Sequence, residues 1–395
     1  MAGEVRDFQW LVSEAAAPYL AKVPPDAASF AAAAVGLRRE LGLTRAHLVL
    51  QQVKLRQRAR RKFSRADRMF FTPRLLEQAT DESVAAHKAA RLSPGARVAD
   101  LCCGAGGDLL AMAARGPCLG VDRDPVATTL AAANCRALDL FHVELQTTDA
   151  EPCDVSACDA WHIDPDRRAT GRRTTIPQLF CPDLHALNRL IARNANAAVK
   201  LAPATLAPRE WSEAGELEWI GDRRECRQQV VWLGTTARCA GKRTATVLAA
   251  ASPPASFTGS PDVPLPVATA VGRYLFEPRP AVLAAHLTGA LGAQLGLDAV
   301  DPRVAYLTGD CLVASPLVAA FEVLDVLPLD HRRLLSLLRQ RRIGRLEVKA
   351  RGRRVDLDLL RRKLRVPGEE AATLLVAGTS AGTLAILARR RSGSE

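Results

Sequence analysis

Residues 96–125 read ARVADLCCGAGGDLLAMAARGPCLGVDRDP, and this stretch decides the fold. An apolar run, Val98-Ala99, leads to Asp100, then to a glycine-rich turn, Gly104-Ala105-Gly106-Gly107, then to an amphipathic segment opening at Asp108. The order is strand, tight turn, helix. Glycine takes positive φ without penalty and lets a ligand approach the backbone, and a helix start behind the turn offers N–H groups that lack intrahelical acceptors. A second apolar run, Cys118 to Val121, ends in another acid, Asp122. Its distance from the turn is that of one strand-helix-strand unit whose second strand tip presents an acid to ribose hydroxyls. A dinucleotide fingerprint would need a further glycine near Leu109, where the chain reads Asp108-Leu109-Leu110, so NAD is the weaker fit. A lone Gly-x-Gly would be only a βα turn; two acids in register make this one a nucleotide-cofactor site.

From Gly95 to about Ala251 strands alternate with helices, which predicts a mostly parallel sheet covered on both faces. Strands are expected at Arg97–Leu101, Cys118–Asp122, Phe141–Gln146, Ala157–Ile163 and Ala197–Leu201. Of three later candidates, Leu217–Ile220, Gln228–Leu233 and Thr244–Leu248, two would close the antiparallel end of a seven-stranded sheet. The fourth strand ends in Ile163-Asp164-Pro165-Asp166-Arg167-Arg168. Ligands of open α/β sheets collect at the carboxyl ends of strands, so this tip is the expected reacting edge. Arg167, Arg168, Arg172 and Arg173 offer contacts to phosphates, and an arginine plane can stack on a base.

The flanks are of a different kind. Residues 1–91 read as alanine-rich amphipathic helices. Within them the segment Leu48 to Phe71 carries Lys54, Arg56, Arg58, Arg60, Arg61, Lys62, Arg65 and Arg68 interleaved with Phe63, Phe70 and Phe71. Such a run suits either a phosphate backbone or a solvated helix face. Thr72-Pro73 reads as an N-cap and first helical residue. The expected domains are a helical region 1–91, a catalytic domain 92–251, a linker with a small α+β domain 252–327, and a basic α+β domain 328–395.

Composition sets bounds on function. Lys and Arg number 54 against 42 Asp and Glu, a net charge of +12 that makes a polyanionic partner plausible. The ten cysteines lack paired C-x-x-C spacing, and Cys153, Cys158, His162 and Cys181 match no usual zinc pattern, so no metal is expected. Glu4, Arg6 and Asp7 precede any apolar stretch, the wrong order for a secretory signal, and no apolar run approaches the ~20 residues that span a bilayer. A reduced, cytoplasmic compartment without membrane contact is expected. Oligomeric state is not legible.

Asp-Leu-Cys-Cys-Gly-Ala-Gly-Gly at 100–107 resembles the first motif of class I S-adenosylmethionine-dependent methyltransferases, with Cys102 where that family often has its first glycine. Together with Phe70-Phe71-Thr72-Pro73, the DPDRR tip, Tyr274-Leu275-Phe276-Glu277-Pro278 and the basic segment Gly344-Arg345-Leu346-Glu347-Val348-Lys349, it resembles one bacterial family. These are class I methyltransferases with a C-terminal THUMP-like domain. The resemblance implies a Rossmann-like seven-stranded α/β core, an N-terminal helical region and C-terminal α+β domains of ferredoxin-like or THUMP-like type. It implies S-adenosyl-L-methionine as cofactor, held by Asp100, Cys102, Gly104, Gly106, Asp122 and Asp149, the last placed where the family accepts from the adenine amino group. The DPDRR tip resembles the Asp-Pro-Pro-aromatic motif of methyltransferases acting on exocyclic amino groups, which assigns Asp164, Pro165 and Arg167 to the acceptor. Asp166 and Arg167 replace the second proline and the aromatic ring. THUMP domains accompany RNA-modifying enzymes, so the resemblance implies an RNA substrate, tRNA or rRNA. An RNA-binding protein with a non-catalytic methyltransferase fold, and a methyltransferase for a small molecule or protein, are the alternatives.

Overall fold

A computed structural model describes residues 2–23, 27–168, 171–172, 174–250, 252–352 and 355–391. Arg173, one of the arginines expected to meet phosphate, lies outside the described residues. The strands are β1 Val98–Leu101, β2 Cys118–Asp122, β3 Val143–Thr147, β4 Ala160–Ile163, β5 Ala197–Leu201, β6 Glu216–Gly221, β7 Cys226–Trp232 and β8 Arg243–Ala249. They continue with β9 Ser252–Gly259, β10 Tyr274–Pro278, β11 Asp298–Asp301, β12 Val304–Gly309, β13 Val318–Pro328, β14 Ile343–Arg351, β15 Glu370–Thr379 and β16 Gly382–Arg390. The chain divides into two compact units, Met1–Glu216 with Gln229–Ala240, and Leu217–Gln228 with Gly241–Glu395.

In the first unit the strand order is β3-β2-β1-β4-β5-β7. β1 to β5 pair in parallel and β7 runs antiparallel to β5. β1 and β4 are buried at every residue, as strands covered on both faces must be. Order reverses at β1, which pairs β2 on one side and β4 on the other. A crevice for ligands therefore opens at the carboxyl ends of these three strands.

The N-terminal helices belong to the same core. The helix Ala27–Ala59 is broken at Gly42, whose φ of 75° only glycine takes readily. Part of its basic, aromatic-rich end is consumed by packing. Phe63 and Phe71 stack at 5.6 Å and are both buried. Arg56 donates to the Met69 carbonyl at 2.9 Å and lies 4.7 Å from the Phe70 ring. Lys62 donates to the carbonyls of Leu76, Glu77 and Ala79, closing the end of the helix Pro73–Gln78. These rings, Arg56 and Lys62 hold the fold; Lys54, Arg58, Arg60, Arg61, Arg65 and Arg68 remain exposed.

The second unit contains β6 from Leu217 on, paired in parallel with β8, and β9 antiparallel to β8. Its larger sheet has the order β11-β12-β10-β13-β16-β15-β14. The helices His331–Gln340 and Leu357–Lys363 contribute Leu334, Leu338 and Leu360 to a core shared with Val348, Leu374 and Leu387.

Two expectations need correction here. Residues 252–259 are a strand and not a linker: among the described residues β9 pairs with β8 alone, and an edge strand tolerates Pro253 and Pro254. Strands β10 to β16 form one sheet across the expected boundary at 327/328, because β13 pairs with β10 on one edge and β16 on the other.

Fully buried Asn134 clasps the glycine turn: its amide donates to the carbonyls of Phe70 and Ala105 and accepts from Phe70 N at 2.7 Å. Asn134→Leu strands three backbone groups, so it is expected to lower unfolding free energy by about 1–3 kcal/mol or more, measured by urea denaturation.

Candidate cofactor and acceptor site

The site grows from the tips of β1, β2 and β4. Cys102 continues β1 with φ 59°, followed by Gly104 at 57° and Gly106 at 93°. A left-handed backbone at Cys102 is uncommon for a residue with a Cβ, and it explains why a glycine would suit this position. Gly107 serves another need: a Cβ there would meet Thr80 N at 3.0 Å.

Asp122 at the β2 tip fastens the turn. One of its oxygens accepts from Gly104 N at 2.8 Å and the other from Asp124 N at 2.9 Å. Burial pushes its pKa up, and these two backbone bonds only partly counter that. Each carboxylate oxygen has a second lone pair, so Asp122 still has acceptor capacity for a hydroxyl. Asp149 stands exposed after β3.

Beneath the turn lies a chain of buried charges. Lys88, wholly buried on the helix Glu82–Ala89, pairs with Asp108 at 2.7 Å and donates to His162 Nε2 at 3.0 Å. An ammonium has only donors, so His162 Nδ1 carries the ring proton and gives it to Asp100 Oδ1 at 2.7 Å. Asp108 also accepts from Thr80 Oγ1 at 2.6 Å, and Thr80 in turn accepts from Lys200 Nζ at 3.1 Å. Lys200 on β5 finally bonds the Asp164 carboxylate. Burial works against every charge here. For Lys88 burial wins and its pKa falls. For Asp108 the opposite holds: burial raises it, but the charges of Lys88 and Lys200 outweigh that and hold it well below the carboxylate range. Lys200 likewise loses by burial and gains more from Asp164 and Asp108, so its pKa rises.

At the β4 tip Asp164 is half-buried and Pro165 buried. The second Asp164 oxygen makes no hydrogen bond among the described residues. Asp166 exchanges backbone hydrogen bonds with Cys181 at 2.8 and 2.9 Å and its side chain accepts from Arg168 N, so it shapes the loop. Arg168 pairs with Glu77 at 2.7 Å. Arg167 is half-buried and close enough to Lys200 to oppose its charge. Sequence reasoning missed Lys200, Lys88 and His162; the available signal was a polar residue inside an otherwise apolar strand or helix face, as in Ala197-Ala198-Val199-Lys200-Leu201.

The residues fit S-adenosylmethionine. Asp100 Oδ2 is buried with no hydrogen-bond partner among the described residues, an acceptor waiting for a donor. Acceptors at Asp100, Asp122 and Asp149 suit a ligand with an amino group, ribose hydroxyls and an adenine amine. Burial, with Asp122 and Asp164 nearby, raises Cys102 well above its usual range, so its thiol stays neutral. Among the described residues no group of three or more His, Cys, Asp or Glu is placed to hold a metal, and no helix is long and apolar enough to cross a membrane.

Such a sheet, with a glycine turn and acids at its strand tips, defines a nucleotide-cofactor enzyme of the class I methyltransferase type. The chain is 32% identical over 323 residues to an uncharacterized S-adenosylmethionine-dependent methyltransferase of Mycobacterium tuberculosis, recorded from strains CDC 1551 and H37Rv, covering 80% of this chain and 86% of the relative. Residues 318–390 match the THUMP domain-like family. A crystal structure from Porphyromonas gingivalis W83, provisionally assigned as a methyltransferase, superposes with a TM-score of 0.76 at 18% identity, covering 90% of this chain and 94% of that one. The chain belongs to the S-adenosylmethionine-dependent methyltransferase family, with a THUMP-like domain at its C-terminal end. It is an enzyme that uses S-adenosylmethionine.

Lys88→Met leaves Asp108 buried without its main counter-charge. It is expected to cost about 3–5 kcal/mol of stability, read from chemical denaturation.

Proposed function

We propose that this methyltransferase modifies RNA, at an exocyclic amino group of a base. The observation that carries the acceptor chemistry is the Asp164–Lys200 pair at the tip of β4. Lys200 Nζ pairs with Asp164 and occupies one of its oxygens. The other oxygen and the Pro165 carbonyl remain as two acceptors for one amine, which aims its lone pair and leaves a proton acceptor beside it. Arg167 would cover the base in place of the family's aromatic ring. Asp100, Cys102, Gly104, Gly106, Asp122 and Asp149 would hold the cofactor, which supplies an electrophilic methyl group on a sulfonium. Positioning is then the main contribution of the protein to an in-line displacement. A neutral Cys102 makes a covalent cysteine mechanism a poor alternative. The THUMP-like match supports RNA as the substrate class.

Incubation with labelled S-adenosylmethionine and RNA from cells lacking the protein, followed by nucleoside mass spectrometry, tests this reading. A labelled nucleoside carrying N-methylation is expected; label that appears only in protein or small molecules defeats the RNA assignment. Asp164→Asn is expected to slow transfer by about 100-fold or more while cofactor binding, followed by calorimetry, is retained. Lys200 acts through Asp164 as a positioning residue: Lys200→Met should lose transfer and Lys200→Arg should recover part of it, whereas equal loss in both would mark a purely structural role.

A further inference from the structure

The second unit holds a cavity of about 590 Å³ whose wall is cationic. Arg223 and Arg224, Arg279, Lys349 and Arg351 of β14, and Arg390 of β16 line it, with Glu277 and Glu347 as the two carboxylates, a balance of 6 − 2 = +4. Three strands separate β10 from β14 in the sheet, yet Lys349 and Arg351 reach Glu277, the latter at 3.0 Å, so the sheet coils enough to bring these two strands to one chamber. Glu347 is taken by Arg390 at 3.2 Å. The carboxylates present are thus already shared among Lys349, Arg351 and Arg390.

The cations are crowded. Arg279 is only 6% exposed. Its Nε donates to the Pro316 carbonyl at 3.3 Å; burial lowers its pKa, Arg223 and Arg390 lower it further, and Glu277 opposes them. Arg223 Nε and Arg351 Nε are buried without an acceptor among the described residues. Like charges converging on one chamber, with donors to spare, are stabilised by an anion that brings more than one charge and several acceptor oxygens. A phosphate monoester does so; a backbone diester carries one charge and must continue on both sides.

We propose that this cavity is a binding site for a phosphate monoester, either the phosphorylated end of an RNA or a free nucleoside monophosphate. Only the first source rests on the RNA reading of the methyltransferase site.

The test uses the full chain at fixed ionic strength, by fluorescence anisotropy and calorimetry, without cofactor turnover. Probes are a short oligoribonucleotide bearing a 5′-phosphate, a 3′-phosphate or neither, and AMP against adenosine. We expect at least one phosphorylated probe to bind about tenfold tighter than its dephosphorylated counterpart. That preference should vanish in Arg223→Gln and persist in Arg345→Gln, which changes an exposed arginine outside the cavity lining. Preference confined to AMP assigns the free nucleotide; preference confined to an oligomer assigns the RNA end. No preference for either, a preference that survives Arg223→Gln, or an equal loss in Arg345→Gln overturns the site. The AMP arm stands even where no RNA accepts a methyl group, so failure here and failure of the RNA reading are told apart.

Discussion

The ammonium of Lys88 has no route to water, and much of the active region depends on how that charge is answered. A buried ion costs several kcal/mol in lost hydration, recovered only when its partners saturate it. Asp108 supplies the counter-charge and His162 the second acceptor, and each of them must itself be satisfied, by Thr80 and Asp100. The chain therefore ties the helix Glu82–Ala89, the segment behind the glycine turn, and strands β1 and β4 into one electrostatic unit. Through Thr80 and Lys200 it also reaches Asp164. Moving any of these elements would break a buried ionic contact, so the strand tips that face the ligands are fixed from beneath.

The same network sets which groups are charged where chemistry occurs. Asp108 stays ionised and Lys200 stays protonated, each because opposite charges outweigh burial. Lys200 is therefore a poor base. Cys102 and Cys103 sit among carboxylates in a desolvated turn and remain thiols. A site with fixed acceptors, no thiolate and a half-buried carboxylate at its mouth suits orientation of a neutral nucleophile better than covalent catalysis.

The core was legible because its signals are local. β2 and β5 fall on the expected residues, since a buried parallel strand is a continuous apolar run bounded by turns. The acids that end β1 and β2 are read from the same runs. Lys88, His162 and Lys200 were not legible as a group: His162 lies 74 residues from Lys88, and Lys200 lies 120 residues from Thr80. Nothing in spacing couples residues so far apart. β9 was hidden for the opposite reason, because its prolines are a turn signal unless the strand has an unpaired edge.

Net charge is the least local of these signals, and its meaning changed most with the fold. The basic run before Phe71 suits a phosphate backbone or a solvated helix face, yet within it Arg56 and Lys62 spend their donors on backbone carbonyls and Phe63 and Phe71 pack on one another. Such cations stabilise helix ends and turns whatever the partner. In the second unit the cations instead converge on a chamber with fewer carboxylates than arginines and lysines, where mutual repulsion is a cost until an anion enters. A count of +12 cannot separate these two uses; the separation follows from which donors already have acceptors.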